Sequence, residues 1–247
     1  MARTRTCSAK SRRCFFSAAM SDGFFSPGSV FKVDAQGNYS QIYLFQGIPD
    51  GALPYRSRML MDAAGNLYGV TRGGGNNCDP HDVNGCGVVF ELSPDGSSEK
   101  VLYAFQGGRD GLNPVGDMAW DRAGNLIGVT YRGGTNNTGV VFRVTKTGHE
   151  TILYNFGPSL DGQPESGVVV DASGNIYGTT RMGGAYHQGS VFKLDRHGIK
   201  TTLRSFDGGS KGGRPWGQLL LESGVLYGTT IDGGEWGTGT IYQMVLP

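Results

Sequence analysis

Four near-copies of one heptapeptide, GNLYGVT from Gly65, GNLIGVT from Gly124, GNIYGTT from Gly174 and GVLYGTT from Gly224, lie 59, 50 and 50 residues apart. A period this long marks one supersecondary unit used several times. Such a unit buries its apolar face only when a neighbour stacks against it. A second phrase keeps the same beat: GSVFKVDAQG from Gly28, GVVFELSPDG from Gly87, GVVFRVTKTG from Gly139, GSVFKLDRHG from Gly189 and GTIYQM from Gly239. Between these run an aromatic segment ending at Phe45, Phe105, Phe156 and Phe206, and an apolar segment ending MLMD, MAWD, VVVD or LLLE.

Each period thus holds four segments rich in β-branched and aromatic residues, bounded by Gly, Asn, Asp and Pro, which is the chemistry of strands. None shows the 3.6-residue apolar period of a helix. In chain order they are strands a (ending LLLD), b (LYGTT), c (VFKL) and d (LYSF). Four short antiparallel strands per unit predict an all-β propeller of about 50-residue blades. Ring closure is expected, because an open array would leave sheet edges exposed. Strand c occurs five times and the others four times. CFFSAA then stands for a degenerate strand a and SDGFF for a shortened strand b of an additional blade. Five blades are expected, with a four-bladed or incomplete ring as alternatives.

The phrases LYGTT, GG, GxVFKL, LYxF and DGxxP, in this order over residues 28–247, resemble the GloVer tandem repeat of bacterial "choice-of-anchor" proteins, and the order is also similar to NHL-type propeller blades. The resemblance implies an exported repeat protein and carries no reaction with it.

Loop lengths sort the two faces of such a ring. The a–b and c–d connections are short hairpin turns on one face. The b–c and d–a loops are longer, differ between blades and share the opposite face, where a rigid scaffold most often carries its site. Residues that recur in every blade belong to the scaffold. Asp62, Asp121 and Asp171, with Glu222 in the same place, are expected to cap the a–b turns, and Asp50, Asp110 and Asp161 recur in DGxxP. Trp120 stands where other blades have Met61, Val170 and Leu221 and reads as core. Residues that break the repeat on the long-loop face are the site candidates: Tyr55, Arg72, Tyr131, Arg132, Arg181, Tyr186, His187, Trp216, Asp232, Glu235 and Trp236. Planar side chains there can stack on sugar rings or other flat ligands while Arg and Asp bond their edges.

Composition limits the partners. Glycine numbers 43 of 247 residues without a collagen spacing, so it punctuates turns, and the net charge of +1 with no basic stripe argues against nucleic acid. No stretch approaches the ~18 apolar residues of a membrane span. Arg3, Arg5, Lys10, Arg12 and Arg13 precede any acid and lead into the apolar run Cys14–Met20. Residues 1–20 therefore read as a basic leader, either an export signal or a shortened start, or as a degenerate first segment, ahead of one propeller domain at 21–247. Cys78 and Cys86 bracket an insertion found in one b–c loop, and a disulfide across its base would fit export to a secreted or cell-surface location. Asp79, His81, Asp82 and Asn84 inside it match no metal-site spacing, so no metal is expected.

No phosphate-binding loop and no nucleophile elbow is present, so no cofactor is expected. A carboxylate pair for glycoside cleavage could be drawn from Glu165, Asp232 and Glu235 with His187 nearby. Three functions follow: an exported, monomeric binding module for a glycan or a protein, lectin-like and not an enzyme; a carbohydrate hydrolase or lyase on the same face; or a structural, protein-contacting surface domain.

Overall fold

The computed structural model describes residues 15–19, 27–55, 57–76, 85–158 and 162–246, which are strands and turns plus one 3-10 turn at Gly108–Asp110. None of the described helices is long and apolar enough to cross a membrane.

Three complete antiparallel blades follow one another. The second blade holds Leu60–Met61, Leu67–Thr71, Val88–Leu92 and Glu99–Ala104; the third, Leu112–Trp120, Leu126–Arg132, Val140–Val144 and Glu150–Asn155. The fourth holds Pro164–Val170, Ile176–Thr180, Ser190–Leu194 and Lys200–Ser205. Partial blades flank them. The first comprises Phe15–Ala19, Ser29–Val33 and Tyr39–Leu44, and the fifth Gly213–Pro215, Leu220–Glu222, Val225–Asp232 and Thr240–Val245. The described residues thus form the five-bladed, all-β propeller architecture expected from the repeats.

The first blade departs from expectation in one respect. Phe15 pairs with Val33 and Ser17 with Phe31, the same register by which Leu67 pairs with Leu92 and Gly69 with Phe90. Phe15–Ala19 is therefore strand b, not the strand a that CFFSAA suggested. The misreading arose because both strands are short apolar runs, and only pairing to strand c tells them apart. Residues 21–25, read as a shortened strand b, lie outside the described residues.

The blades interlock through aromatic rings. The phenylalanine closing strand d of each blade stands edge-on to the strand-c ring of the next: Phe45 on Phe90 at 5.1 Å, Phe105 on Phe142 at 5.1 Å, Phe156 on Phe192 at 5.3 Å and Phe206 on Tyr242 at 5.0 Å. Such pairs contribute about 0.5–1.5 kcal/mol each beyond the area they bury. Under each strand-c ring lies the glycine of LYGTT. A Cβ on Gly69 would come within 2.7 Å of Phe90 Cζ, and one on Gly178 within 2.5 Å of Phe192 Cζ. Four apolar clusters join successive blades, first to second through fourth to fifth. Among the described residues no such cluster joins the fifth blade to the first, and Ile241 and Val245 on the fifth are 85% and 74% exposed. The apolar closure expected of a ring is thus not made by these residues. The fifth blade lacks a described strand d, and with it the phenylalanine that would reach the next strand c.

The turn aspartates act as expected. Asp62, Asp121 and Asp171 each accept backbone amides two and four residues on through Oδ1. Glu222, one methylene longer, makes no such bond. Asp50 accepts the Tyr43 hydroxyl and the Gln46 amide, and Asp110 accepts the Tyr103 hydroxyl and the Gln106 amide. Asp161 lies outside the described residues.

Two carboxyls pay for this arrangement. Glu99 and Glu150 each keep one Oε1 buried without a hydrogen bond. Burial first, and then the charge of Asp50 or Asp110, pushes both up to about 7. These carboxyls therefore retain protons in the folded chain that the unfolded chain releases. Their contribution is fully present below pH 4.5 and is lost as pH rises toward 7. Thermal unfolding followed by circular dichroism should show the midpoint falling across this window. The Glu99→Gln, Glu150→Gln variant should flatten that slope and unfold about 2–4 °C higher at pH 8. Separately, Gly178→Ala, which forces a methyl against Phe192, should destabilise the protein by about 1–3 kcal/mol in urea unfolding.

Candidate functional site

The long-loop face is rigid because its two loop families cross at glycines. Gly51–Ala52 of a d–a loop pairs with Gly73–Gly74 of a b–c loop. In the next blade, Gly133 sits at φ +78°, and a Cβ there would lie 2.6 Å from the backbone of Gly111. The GG pairs are thus points of backbone contact as well as turns. They adjoin two positions in each of the second to fifth blades: the residue after the strand-a proline (Tyr55, Val115, Glu165, Trp216) and the residue after the LYGTT phrase of strand b (Arg72, Tyr131, Arg181, Ile231).

Neighbouring blades bring these positions together in two groups of guanidinium and aromatic side chains, together termed the arc. Arg72 lies 5.8 Å from the ring centroids of both Tyr55 and Tyr131, and Arg132 lies 5.6 Å from Tyr131. Arg181 stands 4.9 Å from the Trp216 ring and 3.3 Å from Glu165 Oε1. The Arg181 Nε is buried without a hydrogen-bond partner. Arg214 and Asp232 form a further ion pair on this face. Arg72 and Arg132 take part in no ion pair among the described residues, so their charge is available to a ligand.

A cavity of about 620 Å³ is lined by Ser17, Ser57, Arg58, Asp117, Trp216 and Gln218 among others, and so shares Trp216 with the arc. The buried Asp117 carboxylate accepts the Arg58 backbone amide at 2.6 Å and the Arg58 Nε at 2.8 Å. This pair was not among the sequence candidates. Its signal was present: Arg58, Asp117, Gly167 and Gln218 occupy one strand-a position and differ in every blade.

Of the predicted site residues, Tyr55, Arg72, Tyr131, Arg132, Arg181 and Trp216 come together in the arc. Asp232 lies nearby, bound to Arg214. Tyr186 and Trp236 are 61% and 83% exposed on loop tips, and His187 and Glu235 are exposed beside them. Among the described residues no hydrogen bond, ion pair or ring contact links these four to the arc. Of the carboxylates considered for glycoside cleavage, Glu165 and Asp232 are each held by a guanidinium. Trp120 packs edge-on to Tyr68 at 5.0 Å as part of the core. Cys86 is disulfide-bonded. Cys78 and the insertion residues Asp79, His81, Asp82 and Asn84 lie outside the described residues.

Solved structures similar to this chain are propellers. A gluconolactonase from Xanthomonas campestris aligns with a TM-score of 0.55 at 16% identity, over 89% of this chain and 65% of its own. The nidogen/laminin complex aligns at 0.58 and 18%, over 89% and 68%. A PQQ-bound aldose sugar dehydrogenase from Streptomyces coelicolor aligns at 0.60 and 13%, over 94% and 75%. The chain thus spans just under two thirds of the gluconolactonase, and at these identities the likeness is one of fold. No curated protein matches the sequence. The family model described as Gloeobacter/Verrucomicrobia repeat matches residues 6–242.

Proposed function

The chain belongs to the Gloeobacter/Verrucomicrobia repeat family, and from that premise we propose that it is an exported, non-enzymatic binding module that holds a carbohydrate on the long-loop face. The observation that carries this reading is Arg72 set between Tyr55 and Tyr131. A ring face flanked by a guanidinium offers what a pyranose needs: an apolar plane for its C–H face and donors for its hydroxyls. Trp216 repeats the arrangement beside Arg181. A binding role is preferred to turnover because Glu165 and Asp232 are both engaged by arginines, leaving neither as a free acid or base. The Cys86 disulfide supports an oxidising compartment, hence a secreted or cell-surface location. The gluconolactonase and the sugar dehydrogenase indicate that propellers of this shape accommodate sugar chemistry.

A glycan array probed with the purified chain tests the reading. Selective binding should weaken about tenfold or more in Arg72→Ala and Trp216→Ala, the loss of roughly one stacking contact of about 1.4 kcal/mol. Trp236→Ala, on an exposed loop tip, should bind as the parent does. Silence from a folded parent, or loss in Trp236→Ala alone, overturns the proposal.

A further inference from the structure

Strand b carries a tyrosine after its first apolar residue in the second, fourth and fifth blades (Tyr68, Tyr177, Tyr227), and the third blade has Ile127 instead. The consequence is visible on the short-turn face, where two equivalent interblade clefts can be compared. Between the second and third blades the cleft is full. The Tyr68 ring meets Trp120 at 5.0 Å, and its single hydroxyl proton lies within reach of two carboxylates, Asp62 Oδ2 at 3.0 Å and Glu91 Oε1 at 2.9 Å. Lys146 closes the top, its Nζ 2.9 Å from Asp62 Oδ2 and 4.9 and 5.2 Å from the Tyr68 and Trp120 rings.

Between the third and fourth blades every one of these plugs is replaced. Ile127 stands for Tyr68, Val170 for Trp120, Arg143 for Glu91 and Arg196 for Lys146. A cavity of about 470 Å³ remains, with Ile127, Val170 and Leu194 as an apolar floor and Arg122, Arg143 and Arg196 at the rim. That volume lies within the usual range for small-molecule sites. The two rim acids are engaged by the backbone of their own turns. Asp121 accepts the Ala123 and Asn125 amides and the Asn125 side chain, and Asp195 accepts the His197 and Ile199 amides. Arg122, Arg143 and Arg196 form no ion pair among the described residues, and Arg196 Nε donates to His197 Nε2 at 3.1 Å. An apolar slot under three guanidinium groups that form no ion pair lacks two things its neighbour contains: the flat ring of Tyr68 and the carboxylate that Glu91 supplies.

We propose that this cleft binds a small aromatic carboxylate, its ring over Ile127 and Val170 and its carboxylate on the rim arginines. The site is separate from the arc on the opposite face and does not depend on that reading.

Isothermal titration with 2-naphthoate and with neutral 2-naphthamide tests it. The parent should bind the carboxylate at least tenfold more tightly than the amide. Ile127→Tyr, which installs the residue the other blades carry, should fold with an unchanged or higher unfolding midpoint and lose naphthoate binding. Arg143→Gln should weaken naphthoate about tenfold and leave the amide unaffected, as expected for one charge-assisted hydrogen bond. Trp216→Ala should bind naphthoate as the parent does. Equal binding of acid and amide, full binding by folded Ile127→Tyr, or no binding by the parent at millimolar naphthoate each overturns the proposal.

Discussion

One contact is repeated at the four junctions between successive blades and the rest of the structure depends on it: the strand-d phenylalanine standing edge-on to the strand-c ring of the next blade, over a strand-b glycine. A single blade of this size cannot bury both faces, so stacking supplies most of its stability. The contact also sets geometry. The strand-c ring lies across strand b, which excludes any side chain at Gly69, Gly128, Gly178 and Gly228, and this explains the fixed glycine of LYGTT. In the first blade Ser17 takes the glycine position opposite Phe31, and Phe31 is only half-buried, with Tyr39 stacked 5.4 Å away. At the other end Tyr242 receives Phe206, and the far side of the fifth blade keeps Ile241 and Val245 in solvent. The stack is strongest in the middle and one-sided at its ends.

A repeating contact frees other positions to vary, and that division made much of the molecule legible in the sequence. Strand type, strand order and the turn aspartates followed from recurrence, because each is a local requirement met the same way in every blade. The ring-forming candidates were legible for the opposite reason: Tyr55, Arg72, Tyr131, Arg181 and Trp216 break the repeat at two fixed positions. Their pairing was not legible. The Arg72–Tyr131 and Arg181–Trp216 pairings each depend on the next blade, some tens of residues away, and no local spacing encodes them. The same holds for Arg58 and Asp117, joined across 59 residues. The loop tips misled because exposure and variability look alike in a sequence. Tyr186 and Trp236 vary as freely as Trp216 and touch nothing in the arc.

The charge balance shows why both open sites present arginine. The sequence carries 22 basic and 21 acidic side chains, close to neutrality. Six of the 21 acids, however, are engaged by the backbone of their own turns. Asp34, Asp62, Asp95, Asp121, Asp171 and Asp195 each accept amides of their own turn. The Ser97 amide, with the Ser93 and Ser97 hydroxyls, holds Asp95 down to about 2. A carboxylate engaged in this way keeps its charge and is fixed at its own turn, and of these six only Asp62 forms an ion pair among the described residues. Lys146 on Asp62 is the exception, and there the cleft is closed. Where no such partner reaches, as at Arg72, Arg132 and Arg143, near-neutral composition still leaves locally cationic surface. A turn architecture capped by aspartate therefore segregates charge: anions are held at the hairpins, and cations are left in the arc and in the one compared cleft from which the tyrosine is missing.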